Sequence, residues 1–359
     1  MKNRHPLVWL IPLIVLLMLV PFIVPSALPY AGAEAVDLPA YAPVELEKLE
    51  PGTLPMPSPR GADPNAYKPH EDGFVMDDET GVPWEYRDET IYVKIETRTI
   101  ERTKVCFTWV QISDPNQLRT HCTGTESNPM TEAKKAGALL AITGDSYSLH
   151  KDGIIYRNTE LMRPERSFNH SDALLIDTEG RFHIFRRPAD DAFAPYVGNI
   201  LHSFLFGPAL VIDGELQNFE DTRYGLNVGM LKLTQRQALC EMGPLSYLIL
   251  TTEGPNESRG GGFTIPQLAK LAYDMGAKNA YNLDGGNTVA LILNGVKMNR
   301  FGKGGYRPIT DLIYFVTAKP APVVTEAPSE EPSEVPSETP EAPAETELPA
   351  AETEGSAAP

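Results

Sequence analysis

By its apolar positions, the chain divides into a hydrophobic start, a patterned middle and an end without pattern. Residues 6–29 carry no charge and are apolar almost throughout, roughly enough chain to cross a bilayer core of about 30 Å. From about Tyr86 the pattern turns to short β-type runs, among them 91–95, 139–143, 173–176 and 245–252, broken by turn clusters such as Asp177-Thr178-Glu179-Gly180. The clearest helical period follows Thr264, an N-cap residue, with Pro266 tolerated in the first turn. Leu268, Leu271, Ala272 and Met275 then share one face, and Gly276 stops the helix. Flanked by strands at 245–252 and 280–283, this helix predicts a β-α-β unit, whose crossover makes the two strands parallel. Helical pattern is scarce elsewhere. The spacing predicts an α+β fold: mixed β-sheets with a few packed helices, including that β-α-β unit, in a single globular domain at 86–318.

Composition sets the ends apart. Lys2, Arg4 and His5 precede the apolar run, so the positive flank stays inside and the rest lies outside the membrane. Ala31-Gly32-Ala33 resembles a signal-peptidase site, so residues 1–33 read either as an anchor, which the long apolar run favours, or as a cleaved signal. Residues 34–85 are rich in proline and poor in periodic apolar pattern, which reads as a linker. Residues 319–359 alternate Pro, Glu, Ala, Ser and Thr without an aromatic side chain and predict a disordered acidic tail. Its ten glutamates, Glu326 to Glu354, carry most of the formal charge of −17. The acidity therefore belongs to the tail; it argues for no cationic partner, and nothing in the chain calls for nucleic acid. The turn signal Asp114-Pro115-Asn116 lies between two short segments, so either a hairpin brings Cys106 to Cys122 and leaves Cys240 free, or all three cysteines stay reduced and buried.

Chemistry concentrates at strand ends. Parallel strands joined by a helix place their carboxyl ends on one edge, where loops build sites. That puts Glu253-Gly254 and Asp284-Gly285-Gly286 on the same edge, with glycines that let backbone approach a ligand. Asn282 to Thr288 reads either as an anion-binding turn or as a plain glycine-rich connection. Thr143-Gly144-Asp145-Ser146-Tyr147 is a second acidic turn after an apolar strand. Arg157, Arg163, Arg166, Arg223 and Arg307 are candidate phosphate ligands, because a guanidinium fork matches paired anionic oxygens. Gly260-Gly261-Gly262 lacks the Gly-Lys-Ser/Thr of a nucleotide loop and reads as a flexible loop over the site. Metal-spaced histidine pairs and a Gly-x-Ser-x-Gly element are both missing, which leaves carboxylates and arginines to do the work.

Four segments in order resemble the phosphodiester glycosidase family: Ile142-Thr143-Gly144-Asp145, Phe206 to Gly214, Asn282 to Thr288, and Arg307-Pro308-Ile309-Thr310-Asp311. The start of the helix, Gly262-Phe263-Thr264-Ile265-Pro266-Gln267-Leu268-Ala269, is similar as well. The resemblance runs from about Tyr92 to Val316 and implies hydrolysis of a sugar-1-phosphate diester at its glycosidic bond, on cell-surface or exopolysaccharide substrates. It implies Asp284 and Asp145 as the acid/base or charge-stabilising pair, Glu253 as a third carboxylate, and Arg307 and Arg157 on phosphate. Arg223, Asn282, Gly285, Gly286, Asn287 and Thr288 complete the expected substrate contacts. The sequence departs from the family pattern at Thr143, Asn287 and Thr288, and Glu253-Gly254-Pro255 lacks the arginine expected there. That loss supports a rival reading, a module that binds phosphosugar or wall polymer without cleaving it. A divalent cation near Asp284 suits carboxylates and phosphate, but no spacing demands one.

Overall fold

The computed structural model describes residues 37–40, 42–49, 54–63, 67–149, 151–164, 167–168, 171–219, 228–254, 261–300 and 305–319. The apolar run at 6–29 and the acidic tail beyond 319 lie outside them. Among the described residues no helix is long and apolar enough to cross a membrane.

Period-two alternation builds the layers. In the strand Ser246–Thr252, Ile249 enters one apolar cluster while Leu248 and Leu250 enter another; Leu239 and Tyr281 side with Ile249, and Ala238, Cys240 and Ala280 with the other face. The sheet that holds these strands has nine, in the order 74–76, 83–87, 91–100, 103–112, 246–252, 237–243, 279–282, 209–212, 215–216. The helix Ile265–Asp274 covers one face with Ile265, Leu268, Ala269, Leu271 and Ala272. Its start follows the expected capping: Thr264 accepts the Gln267 N–H, and the Gln267 side chain accepts the Thr264 N–H in return.

A five-stranded sheet packs on the other face through Leu140, Ile142, Leu291, Leu293, Ile313 and Phe315. Its order is 296–297, 291–293, 140–143, 309–315, 118–127. Its outer residues, Ala141, Ile292, Leu312 and Tyr314, gather with Leu54 and with Ala133 of the helix Pro129–Lys135. The architecture is thus mainly β with few helices.

The strands Ser246–Thr252 and Asn279–Asn282 both run antiparallel to Gln237–Gly243, which lies between them. They point the same way without being neighbours, because the crossover through Ile265–Asp274 steps over one strand. Asn294 and Gly295, with φ of 47° and 74°, form the tight turn between Leu291–Leu293 and Val296–Lys297 that their sequence predicts.

Two expectations are corrected. Thr103–Ile112 and Leu118–Ser127 are not hairpin partners: Asp114 caps a short helical turn at Pro115–Gln117 that carries the chain from one sheet to the other. Cys106 and Cys122 therefore belong to different sheets, and all three cysteines are free and buried. Nor does the folded unit begin at Tyr86. Phe74–Met76 and Pro83–Arg87 are strands of the large sheet, and residues 54–63 lie along the edge strand Leu118–Ser127. There Pro59 O accepts the Cys122 N–H at 2.6 Å, Pro55 O accepts from Arg119 at 3.0 Å, and Leu54 is fully buried. A proline-rich stretch shows no amphipathic period, yet its carbonyls serve an open sheet edge well, since extended chain leaves them unpaired.

The Asp63 carboxylate pairs with the fully buried Arg119 guanidinium and also accepts from the Tyr314 hydroxyl at 2.9 Å. Asp63→Ala leaves that cation buried without its counter-charge. Urea unfolding is expected to show a loss of about 3–5 kcal/mol; a loss under about 1 kcal/mol would mean that the Asp63–Arg119 pair contributes no more than an exposed ion pair.

Candidate active site

The two sheets meet where their loops interlock. The Asp284 N–H donates to Gly144 O at 3.2 Å, and the Thr143 hydroxyl donates to Thr288 O at 2.6 Å. The loop after Leu140–Thr143 and the loop after Asn279–Asn282 thereby stand side by side. Their carboxylates, Asp145 and Asp284, line one cavity of about 510 Å³.

Asp284 is 5% exposed. Its Oδ1 accepts the Gly285 N–H at 2.7 Å, while Oδ2 accepts from the Ser146 hydroxyl at 2.5 Å and Arg307 Nη2 at 3.3 Å. Asp145 has no exposed surface; its oxygens accept from Arg157 at 2.6 Å and from the Leu205 N–H at 2.8 Å. Arg157 does not reach the cavity as a phosphate ligand. It is fully buried, pairs with Asp145 and Asp311, donates to the Ser203 and Tyr156 carbonyls, and lies over the Phe204 ring at 4.4 Å. Its charge is used to hold Asp145.

Asp311 completes this cluster from the middle of an apolar strand. Its carboxylate accepts the N–H groups of Asp145 and Ser146 at 3.1 and 2.9 Å. Gly144 is required for that approach, because a Cβ there would lie 2.0 Å from Asp311 Oδ2. Burial first, and the Asp145 charge second, push the Asp311 carboxyl up to about 7 against the pull of Arg157.

Arg236 is the basic group that sequence reasoning missed. It lines the cavity beside Asp284 and Arg307, and donates to the carbonyls of Phe263 at 3.1 Å, Gly229 at 2.7 Å and Lys232 at 3.0 Å. Among the described residues no carboxylate pairs with it, and burial lowers its pKa to about 10. A buried guanidinium bound only to carbonyls favours an anion in the adjoining space.

The remaining expected residues divide. Asn282 and Arg307 line the cavity. Gly285, Gly286, Asn287 and Thr288 shape the loop: the Gly286 N–H donates to Gln235 O at 2.9 Å, the Thr288 hydroxyl to Gly285 O at 2.8 Å, and Asn287 O accepts the Arg307 N–H at 2.8 Å. The Gly285 and Gly286 N–H groups are thus taken up by Asp284 Oδ1 and Gln235 O and do not form an open anion nest. Glu253 is not among the cavity-lining residues; it accepts the Arg300 N–H at 3.0 Å and lies 3.7 Å from Lys104 Nζ. Gly262 lies against Thr234, where an added Cβ would fall 2.6 Å from the Thr234 nitrogen, and the next N–H, of Phe263, donates to Thr234 O at 2.9 Å, unlike a free flap. Arg223, Arg166 and Gly260 lie outside the described residues. No group of three or more metal-binding side chains occurs among the described residues, and Arg307 beside Asp284 makes a poor companion for a cation.

Residues 130–316 match the model of a family described as phosphodiester glycosidase, just over half of the chain. The chain belongs to the phosphodiester glycosidase family. The matched stretch holds Asp145, Arg157, Arg236, Asp284, Arg307 and Asp311, whereas the large sheet's first four strands precede it. The chain is similar to the SPbeta prophage-derived uncharacterized protein YomE of Bacillus subtilis, at 22% identity over 240 residues, covering 63% of this chain and 36% of that protein. It therefore spans about a third of that relative's length. Among solved structures it is similar to the catalytic domain of zebrafish N-acetylglucosamine-1-phosphodiester α-N-acetylglucosaminidase, auto-inhibited by its pro-peptide. The TM-score is 0.52 at 17% identity, over 70% of this chain and 87% of that one. This likeness shows a shared fold.

Because the folded state holds the Asp311 proton more tightly than the unfolded chain does, this carboxyl favours the fold at acid pH, and the contribution is lost as the pH rises through about 7. Urea midpoints of the wild type are expected to fall between about pH 4 and 7, and those of Asp311→Asn to fall less. Equal slopes would show that Asp311 does not titrate in that window.

Proposed function

We propose that the protein hydrolyses a sugar-1-phosphate diester at the glycosidic bond, releasing the sugar and a phosphomonoester. The observation that carries this reading is a single cavity holding carboxylates, Asp284 and Asp145, together with guanidinium groups, Arg236 and Arg307. In the reaction, water forms a bond to the anomeric carbon while the bond from that carbon to the phosphate oxygen breaks. The departing phosphate already carries negative charge, so the pressing need is to neutralise it, and Arg236 and Arg307 do so. Asp284, at the cavity surface, takes the proton of the attacking water or stabilises the oxocarbenium charge. Asp145, deeper and pinned by Arg157, adds fixed negative charge beneath the sugar. Asn282 contributes to the sugar contacts.

The substrates we favour are cell-surface or exopolysaccharide diesters. The positive flank and apolar run at residues 1–33 support a domain outside the membrane, tethered there or released after cleavage. A module that binds phosphosugar without cleaving it uses the same cavity. Loss of turnover with retained sugar binding in Asp284→Asn separates it from the enzyme.

The full chain in detergent, incubated with p-nitrophenyl phosphate diesters of N-acetylglucosamine and other sugars, is expected to release free sugar. Asp284→Asn is expected to lose roughly 10²–10⁴-fold in rate, and Arg236→Met roughly 10²–10³-fold. Intact diesters across the panel, with the protein folded, would favour the binding module.

A further inference from the structure

Ser146 is a serine in a conformation that serine avoids. Its φ is 55°, in the left-handed region, where a Cβ crowds the backbone and a side chain is strained. The backbone is held there by Asp311, which accepts the N–H groups of Asp145 and Ser146, and by the Ser146 carbonyl, which accepts the Leu149 N–H at 2.9 Å. The loop is therefore shaped by main-chain groups. The Ser146 hydroxyl makes one hydrogen bond, to Asp284 Oδ2 at 2.5 Å, across 138 residues of chain. Ser146 is 4% exposed and lines the same cavity as Asp284.

We propose that Ser146 is a positioning residue that fixes the carboxylate of Asp284 for the reaction. The inference rests on the glycosidase reading and names a residue that reading does not use. Three donors from three segments hold Asp284: the Gly285 N–H on Oδ1, and Arg307 and Ser146 on Oδ2. The Arg307 side chain is half exposed, and its bond is the longest of the three at 3.3 Å. It is also the group that turns toward a bound phosphate. When it does, the hydroxyl alone remains to hold Oδ2, so the angle at which Asp284 meets water or sugar depends on Ser146 during catalysis. The left-handed backbone is what places a short hydroxyl side chain within reach of the neighbouring loop.

Ser146→Ala removes the hydroxyl and keeps the Cβ, whereas Ser146→Gly removes both and adopts the same φ without strain. Turnover of one diester by the wild type and both variants, with melting temperatures alongside, tests the idea. The expected result is a fall of about 10- to 100-fold in kcat in both variants, with KM changed by less than about twofold and Ser146→Gly melting no lower than the wild type. Wild-type kcat in both variants would overturn the proposal. So would recovery of kcat in Ser146→Gly alone, which would trace the defect to backbone strain, or a rise in KM at constant kcat, which would make the hydroxyl a binding contact. A wild type that turns over no diester removes the glycosidase reading and this inference with it. A wild type that is active beside unaffected variants removes the inference only.

Discussion

Arg157 carries a full positive charge with none of its surface in water, and the fold accepts it because Asp145 and Asp311 stand against it at 2.6 and 3.3 Å. Removing Asp145, the nearer partner, takes from a buried guanidinium its main counter-charge, among the costliest defects a core can hold. The three side chains come from the loop after one strand, from a short hairpin and from the middle of a third strand. Ser203 and Leu205, at the end of the strand Ile200–Phe204 and just beyond it, add a carbonyl for Arg157 and an N–H for Asp145. Segments that are distant in the chain thus share one electrostatic centre, directly beneath the cavity.

The layered sheets serve that centre. Two sheets packed face to face leave their strand-end loops close together, and the bonds from Asp284 to Gly144 and from Thr143 to Thr288 lock those loops in register. The cavity is built on rigid elements, which holds a constellation more accurately than free loops do. One carboxylate is buried and salt-bridged while the other is reachable and bound by a half-exposed arginine. Their different surroundings suit them to different duties.

Much of this was legible. Period-two runs located the main strands, the Thr264 N-cap and the apolar face located the helix Ile265–Asp274, and strand-end acids pointed to Asp145 and Asp284, which line one cavity. Local pattern does not report what lies beyond its window. Arg157 reads as a free cation because its partners Asp145 and Asp311 are 12 and 154 residues away. Arg236 sits among polar residues at the start of a strand, and only the burial of its head separates it from a solvated arginine. Asp311 did leave a signal: a lone charge inside Ile309–Phe315, where every residue is buried, has to find a partner. The segment 54–63 was hidden because chain that docks through its own carbonyls needs no apolar rhythm.

Arg236 also links occupancy to durability. A cation held among main-chain carbonyls, without a described counter-charge, is a standing strain on the empty protein. An anion bound beside it would offset that charge and, by mass action, add a stabilising free energy that grows with the logarithm of the anion's concentration. Dissolved anions are then expected to bear on the durability of the fold as well as on the traffic through its cavity.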